Sequence, residues 1–307
     1  MDRINVIMAT YQGEKYLKQQ LDSILASSYK NFVISIYDDG STDQTVEIAR
    51  SYEKQYPNTI RFYQNKKNLG HFHNFMQGVV GNDFDYIMFC DQDDVWKSNK
   101  IEDTYRYMKK VEGKQKQNVP TVVFSDAIVV NEKLEVIDSS VHKSSGLDTS
   151  KLDFAHMLME NKIMGCTMML NRAMIGKVQI LPDHARYHDW WLALIASAYG
   201  EIHYMNEATM LYRQHGNNVV GNTSFQYYVK ERIRNLAQQK KSIQANIKQA
   251  EELYRIYKDS LPKRELELLK KFISIQTSGF FKRRWIVINN GFFKSGRIRN
   301  IGLLLIL

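Results

Sequence analysis

Over its first 126 residues the chain alternates short apolar runs with longer amphipathic stretches, the pattern of consecutive βαβ units around a mostly parallel sheet. Nothing else in the sequence restricts the fold as much, because neighbouring parallel strands need crossover segments between them. The apolar runs 4–8, 32–37, 60–63, 86–89 and 121–124 predict strands. The stretches 14–27, 42–56, 71–80 and 99–111 predict helices, with Ser41 or Thr42 available to cap the second. This is a doubly wound α/β layout, in which ligands sit beyond the carboxyl ends of the strands. Three of those ends carry carboxylates: Asp38-Asp39-Gly40-Ser41, Asp91-Gln92-Asp93-Asp94, and Asp126 behind Phe124-Ser125. They are expected to converge on one rim.

Beyond residue 128 the strict alternation is lost. A short strand pair is expected around 128–137, followed by an apolar run over 164–170 and a helix over 189–199, together the acceptor-facing half of the same domain. From Gln226 the period changes again: Val229, Ile233, Leu236, Ile243, Ile247, Ala250, Leu253 and Tyr257 recur at three- and four-residue spacing, which predicts a long amphipathic helix closed by Pro262. The expected organisation is a catalytic domain over 1–225 and a helical, basic region over 226–307. That helix could dimerise or pack on its own body.

Charge supports the division. The net charge of +9 is concentrated in 226–307, which holds 18 Lys and Arg against 6 Asp and Glu, whereas 1–225 carries 24 basic and 27 acidic side chains. A near-neutral body with a basic tail suggests chemistry in the body and an anionic surface met by the tail. Cys90 and Cys166 lie in apolar runs without metal-ligand spacing and read as packed thiols in a reducing cytosol. No apolar stretch reaches the roughly 18 residues of a spanning helix, and Met1-Asp2-Arg3 leads straight into the first strand, so secretion is not expected.

Asp91-Gln92-Asp93 follows a buried strand, and two carboxylates in such a turn can offer hard oxygen ligands to Mg²⁺ or Mn²⁺, a countercharge for a diphosphate leaving group. The Asp38-Asp39 turn could accept the ring N–H of a uracil or thymine, or ribose hydroxyls; equally, it could be a βα turn with a helix cap. Thr10-Tyr11 could add a hydroxyl and an aromatic face to the same base, or pack at the rim.

With these residues in place, the chain resembles a family-2 glycosyltransferase of the GT-A fold. The resemblance is carried by Ala9-Thr10-Tyr11-Gln12-Gly13, Asp38-Asp39-Gly40-Ser41-Thr42-Asp43, Asn68-Leu69-Gly70 and Asp91-Gln92-Asp93-Asp94-Val95-Trp96, in order and spacing. It continues through Gly165-Cys166-Thr167-Met168-Met169, His188-Asp189-Trp190-Trp191 and Tyr212-Arg213-Gln214-His215-Gly216-Asn217-Asn218, and fades after about residue 220. By position it implies that Asp39 meets the base, Asp91 the ribose, Asp93 a metal bridging the donor phosphates, and Asp189 serves as general base. It further implies donor contacts from Asn68, Thr10 and Tyr11, acceptor contacts from Trp190 and Trp191, a phosphate contact from Arg213, and metal or diphosphate binding by His215. On residue chemistry alone Asp189 is also a favourable carboxylate at a helix N-terminus. Where the wider family often has Glu-Asp at the base, this chain has His188-Asp189, as in a subset resembling streptococcal rhamnosyltransferases of cell-wall and capsule synthesis.

The expected function is therefore metal-dependent, inverting transfer of a sugar, L-rhamnose from dTDP-L-rhamnose, to a lipid-linked cell-surface polysaccharide on the cytoplasmic side of the plasma membrane. A UDP-hexose such as UDP-glucose or UDP-galactose is the alternative donor. A phosphohydrolase is disfavoured by the lack of a phosphate loop or nucleophilic Asp-x-Asp after the first strand, and nucleic-acid binding by the acidic rim. Residues 278–307 mix Lys282, Arg283, Arg284, Lys294, Arg297 and Arg299 with Phe280, Phe281, Trp285, Ile286, Phe292, Phe293 and Ile298, without one acidic residue, as a membrane-surface anchor would. The same apolar residues could instead pack on the fold or in a dimer.

Overall fold

A computed structural model describes residues 2–215 and 236–307. The chain divides into two compact units. Among the described residues the first comprises 2–141, 163–181 and 203–215, and the second 142–162, 182–202 and 236–307.

The first unit is built on a nine-stranded mixed sheet: β1 (Ile4–Thr10), β2 (Phe32–Asp38), β3 (Ile60–Gln64), β4 (Tyr86–Cys90), β5 (Val95–Trp96), β6 (Thr121–Val130), β7 (Val136–Asp138), β8 (Met168–Asn171) and β9 (Glu201–Arg213). The order is β3-β2-β1-β4-β8-β6-β9-β5, with β7 on β6. The first four are parallel, and the sheet turns antiparallel where β8 joins β4 and β6. In β1 and β4 side chains of both faces are buried, as expected of parallel strands covered on both sides, so they read as continuous apolar runs. Pairing of Thr10 with Asp38 and of Met8 with Cys90 brings the carboxyl ends of β2, β1 and β4 to one edge.

Helices α1 (Leu17–Leu25), α2 (Thr45–Gln55), α3 (His71–Met76) and α4 (Lys100–Glu112) match the four expected stretches, the first three shorter than expected and the fourth shifted by one residue. α2 begins at Thr45 without a cap from Ser41 or Thr42; the Ser41 hydroxyl donates to Asp38 Oδ2 at 2.5 Å, so it is already committed. α3 ends early, where Gly78 lies so close to the sheet that an added Cβ would stand 2.8 Å from the Tyr37 ring. β6 runs on to Val130, so Asp126 lies within a strand rather than after one. Ser140 and Tyr204 both donate to Asp126 Oδ2, and the carboxylate is buried, away from the expected rim role.

The second unit is helical: α5 (Phe154–Met159), α6 (His188–Tyr199), α7 (Leu236–Tyr257), α8 (Lys263–Ser274), α9 (Phe280–Asn290) and α10 (Arg297–Ile306). The expected apolar stripe is buried on α7 through Ile243, Ile247, Ala250, Leu253 and Tyr257; the expected start of this helix, over 226–235, lies outside the described residues. Polar side chains tie α7 to the segments earlier in the chain. Arg186 Nη1 donates to Asn246 Oδ1 at 2.6 Å, and Asn246 Nδ2 to the Met159 carbonyl at 2.9 Å. Arg299 pairs with Glu160 at 3.0 Å, both largely shielded from water. No helix among the described residues is long and apolar enough to cross a membrane.

Candidate active site

The loop after β1 joins the two carboxylate turns. Tyr11 N donates to Gln92 Oε1 (2.9 Å) while Gln92 Nε2 donates to the Tyr11 carbonyl (3.0 Å). On the other side Gln12 Oε1 accepts the backbone N–H groups of Thr42 and Asp43. Gln12 has φ 51°, a left-handed conformation disfavoured for its type, which these bonds and one from its own N–H to Ser41 Oγ help to hold. A Cβ at Gly13 would stand 2.1 Å from Gln92 Oε1, so any larger residue there would displace the Gln92 amide from Tyr11. Gln12 and Gln92 lie inside the motifs that carry the resemblance, but their roles in joining the turns are visible only in the structure, since polar loop residues carry no periodic signal.

The turn after β2 is filled by its own surroundings. Asp38 Oδ1 accepts Gly40 N and Ser41 N at 3.2 and 2.9 Å, and Oδ2 accepts Thr10 Oγ1 at 3.0 Å as well as Ser41. The Thr10 hydroxyl, expected to face a base, is thus turned inward and buried. Asp39 Oδ1 accepts Asn65 Nδ2 (2.9 Å) and Leu69 N (2.7 Å), while Oδ2 accepts Gly70 N (2.9 Å). Asn68 is exposed beside it, its Oδ1 accepting Gly70 N at 3.0 Å. Tyr11 is 50% exposed and presents its ring to solvent.

The turn after β4 is different. Asp93 Oδ2 lies 2.7 Å from His215 Nε2, and His215 stacks on Tyr16 with ring centroids 5.1 Å apart. Asp94 is buried; its Oδ1 accepts Arg213 N at 3.0 Å, and its Oδ2 has no hydrogen-bond partner among the described residues. Burial, reinforced by the charges of Asp93 and Asp91, pushes the Asp94 carboxyl well above the usual carboxylate range. Arg213, expected to clamp phosphate, is only 2% exposed, and its guanidinium donates to the Asp93 carbonyl (2.7 Å), the Glu132 carbonyl (2.6 Å) and Gln19 Oε1 (2.5 Å). It holds the turn in place. Beneath, Lys100 is buried with Nζ 3.0 Å from Thr209 Oγ1, and desolvation lowers it to about 8.

Ligating atoms of Asp91, Asp94 and Cys166 lie within 4.8 Å of one another. Burial pushes the Cys166 thiol far up, and a protonated thiol is a poor ligand for a hard cation. Carboxylates are the better donors for a hard cation: this cluster contributes Asp91 and Asp94, the neighbouring Asp93 meets the His215 imidazole, and Asp94 Oδ2 has no hydrogen-bond partner among the described residues. Such a set fits Mg²⁺ or Mn²⁺.

In the second unit Asp189 stands in the first turn of α6, its Oδ1 accepting Trp190 N (2.6 Å) and Asn161 Nδ2 (3.1 Å). Trp190 and Trp191, expected at the acceptor, are core residues here. Trp190 is buried with its indole N–H donated to the Met157 carbonyl at 2.7 Å, and Trp191, 0% exposed, lies against Tyr257. Neither ring offers a face to a saccharide in this arrangement. The apolar pattern of α6 contained the signal, because its mean hydropathy suits a helix buried on all sides.

A doubly covered sheet that gathers acidic and polar residues at the carboxyl ends of its strands places them where ligands bind in open α/β sheets. The profile of Glycosyl transferase family 2 matches residues 5–114. A dTDP-rhamnosyl transferase of Shigella flexneri, RfbG, is 30% identical over 234 residues, 71% of this chain and 75% of that protein. The chain belongs to glycosyl transferase family 2. Among solved structures, residues 1–349 of S. aureus TarS superpose with a TM-score of 0.59 at 14% identity, covering 94% of this chain and 72% of that one. A Pyrobaculum calidifontis mannosyltransferase, solved with GDP-Man and Mn²⁺, gives 0.57 at 13% identity over 99% of this chain and 79% of its own. Both share the fold, which is of the GT-A type with a helical C-terminal region.

Proposed function

We propose that the protein is a metal-dependent, inverting glycosyltransferase that moves L-rhamnose from dTDP-L-rhamnose to a hydroxyl of a lipid-linked cell-surface saccharide, working at the cytoplasmic face of the membrane through its C-terminal region. The observation that carries this reading is the turn after β4, where Asp93 meets His215 and the adjacent Asp94 Oδ2 has no hydrogen-bond partner among the described residues. The rhamnosyl donor is supported by the Shigella relative.

In this reading Asp91, Asp93 and His215 face the donor. Asp91 accepts ribose hydroxyls, while Asp93 and His215 hold Mn²⁺ or Mg²⁺. The cation, when bound, supplies positive charge against the diphosphate. Asp39 Oδ2 accepts one protein N–H, which leaves acceptor capacity for the ring N–H of thymine. Tyr11 offers its exposed ring to the base, with Asn68 alongside. Arg213 and Thr10 act by positioning: the first fixes the Asp93 backbone, and the second fixes Asp38.

Asp189 takes the proton of the acceptor hydroxyl as that oxygen bonds to the anomeric carbon and the bond to the diphosphate breaks, so dTDP leaves and the configuration inverts. Asn161 and the Trp190 N–H hold the carboxylate oriented for this task. The test is turnover with dTDP-L-rhamnose, UDP-glucose and UDP-galactose in parallel, with the anomeric configuration of the product read by NMR. Asp189→Asn should lower transfer by about 10²- to 10⁴-fold with donor affinity nearly intact. Preference for a UDP-hexose would replace the donor assignment, retention of configuration would exclude direct displacement, and near-normal transfer by the Asn variant would put the base elsewhere.

A further inference from the structure

The last two helices of the second unit carry apolar side chains on opposite sides. Ile286 and Val287 of α9 are buried, as are Leu303 and Ile306 of α10. Phe281, Trp285 and Ile288 of α9 stay exposed, Phe281 at 84%; Ile298, Ile301 and Leu305 of α10 do the same, Leu305 at 76%. Their spacing of three and four residues lines each set along one side of its helix. Packing within the fold therefore accounts for the inward sides only. Two outward stripes of large apolar side chains call for something that covers them.

Charge identifies the occupant. Residues 268–307 contain eight Lys and Arg and no Asp or Glu. Some of these cations serve the fold: Arg299 pairs with Glu160, Lys294 is buried, and Arg283 donates to the carbonyls of Ser278 and Gln276. Lys282 and Arg297 are exposed, and the Arg284 guanidinium lies over the Phe280 ring at 3.4 Å. A second copy of the chain seated on this surface would bring like charges together with no carboxylate between them. Single-stranded nucleic acid could stack on Phe281 and Trp285, yet it offers nothing to Ile288, Ile298, Ile301 and Leu305. An anionic bilayer satisfies both the cations and the aliphatic side chains.

We propose that the outward stripes of α9 and α10 are the surface by which the protein lies on an anionic bilayer. Phe281, Trp285, Ile288, Ile298, Ile301 and Leu305 enter the region below the headgroups, while Lys282, Arg284 and Arg297 meet lipid phosphate. This rests on the membrane-surface reading given above and assigns the residues that carry it. Of the side chains expected from sequence to dip into lipid, Ile286 and Phe292 are excluded because they are buried in the fold.

Sedimentation of the full chain with vesicles of phosphatidylcholine, with and without phosphatidylglycerol, tests the assignment. Wild type should pellet with the anionic vesicles and be released by high salt. The combined variant Phe281→Ser, Trp285→Ser, Leu305→Ser should bind anionic vesicles about 10-fold or more weakly. Lys282→Gln, Arg284→Gln, Arg297→Gln should lose roughly 100-fold on anionic vesicles and little on neutral ones. Unchanged turnover of a short soluble acceptor by both variants is expected, since none of the altered side chains has a part in the proposed donor or acceptor site. If wild type pellets and both variants pellet equally well, the stripe assignment is wrong while the membrane reading survives. If wild type ignores both kinds of vesicle, the membrane reading fails and the stripes fail with it. A wild-type dimer that the serine variant dissociates, or binding to single-stranded DNA in place of vesicles, also overturns the assignment.

Discussion

The turns after β2 and β4 look alike in sequence, each a cluster of aspartates behind an apolar strand, yet the fold treats them in opposite ways. Around Asp38 and Asp39 the protein supplies the donors itself: hydroxyls from Thr10 and Ser41, backbone N–H groups from Gly40, Ser41, Leu69 and Gly70, and the Asn65 amide. Around Asp91, Asp93 and Asp94 the carboxyls crowd together so that burial and the neighbouring charges raise Asp94, whose Oδ2 has no hydrogen-bond partner among the described residues, and His215 is brought in by the end of β9. A carboxylate surrounded by protein donors mainly holds loops together, whereas a buried carboxylate oxygen such as Asp94 Oδ2, without a partner among the described residues, has acceptor capacity left for a cation or a ligand. The motif does not decide which role a turn takes; the donors delivered by distant segments do.

The sharpest way to break this comparison is Asp93→Ala. Transfer should fall by about 10³-fold or more, since the diphosphate loses several kcal/mol of countercharge. The melting temperature should hardly move, because among the described residues only His215 meets this side chain. A variant that keeps its activity, or wild-type activity that survives exhaustive chelation, would show that the second turn is no cation site.

Asp38→Ala should do the reverse. It strips partners from Thr10, Gly40 and Ser41 in a buried turn, and a loss of about 2–4 kcal/mol of stability is expected in urea melts. A shift within a few tenths of a kcal/mol would mean that water replaces the carboxylate easily.

Asp39→Ala separates the two roles inside the first turn. If Asp39 also meets the base, donor affinity should weaken by about 10-fold with a smaller effect on the rate at saturating donor, as for a contact present in both ground and transition states. Unchanged donor binding alongside lowered stability would make it a loop residue like its neighbour.

The smallest effect concerns the floor of the second turn. Lys100 is lowered to about 8 from 10.5. Between those values the unfolded chain holds a proton that the folded chain has released, so stability should rise with pH across that window. From about pH 8 to about pH 10, wild type should gain roughly 1–2 kcal/mol that Lys100→Met does not. Parallel responses of the two proteins would show that Lys100 remains charged when buried.

Much of the first unit was legible from the amino acids. All five expected strands and four helices are present, because continuous apolar runs and three- and four-residue spacing report local burial directly. β9 escaped notice: Glu201–Arg213 mixes polar and apolar residues without clean alternation, and it becomes a strand by lying between β6 and β5, both far earlier in the chain. Asp126 was placed at a rim because the end of β6 could not be seen past Ser125.

The sequence by itself determined the α/β layering, the position of the Asp-rich turns at strand ends and the membership in a glycosyltransferase family, all properties of short segments and their order. Only the tertiary structure decided that Thr10 and Arg213 face inward, that Trp190 and Trp191 are core, and that residues 142–162 and 182–202 cluster with the C-terminal helices. The physical reason is the same in each case. A polar or aromatic side chain takes its role from the partner that meets it, and those partners are supplied by segments far away in the chain.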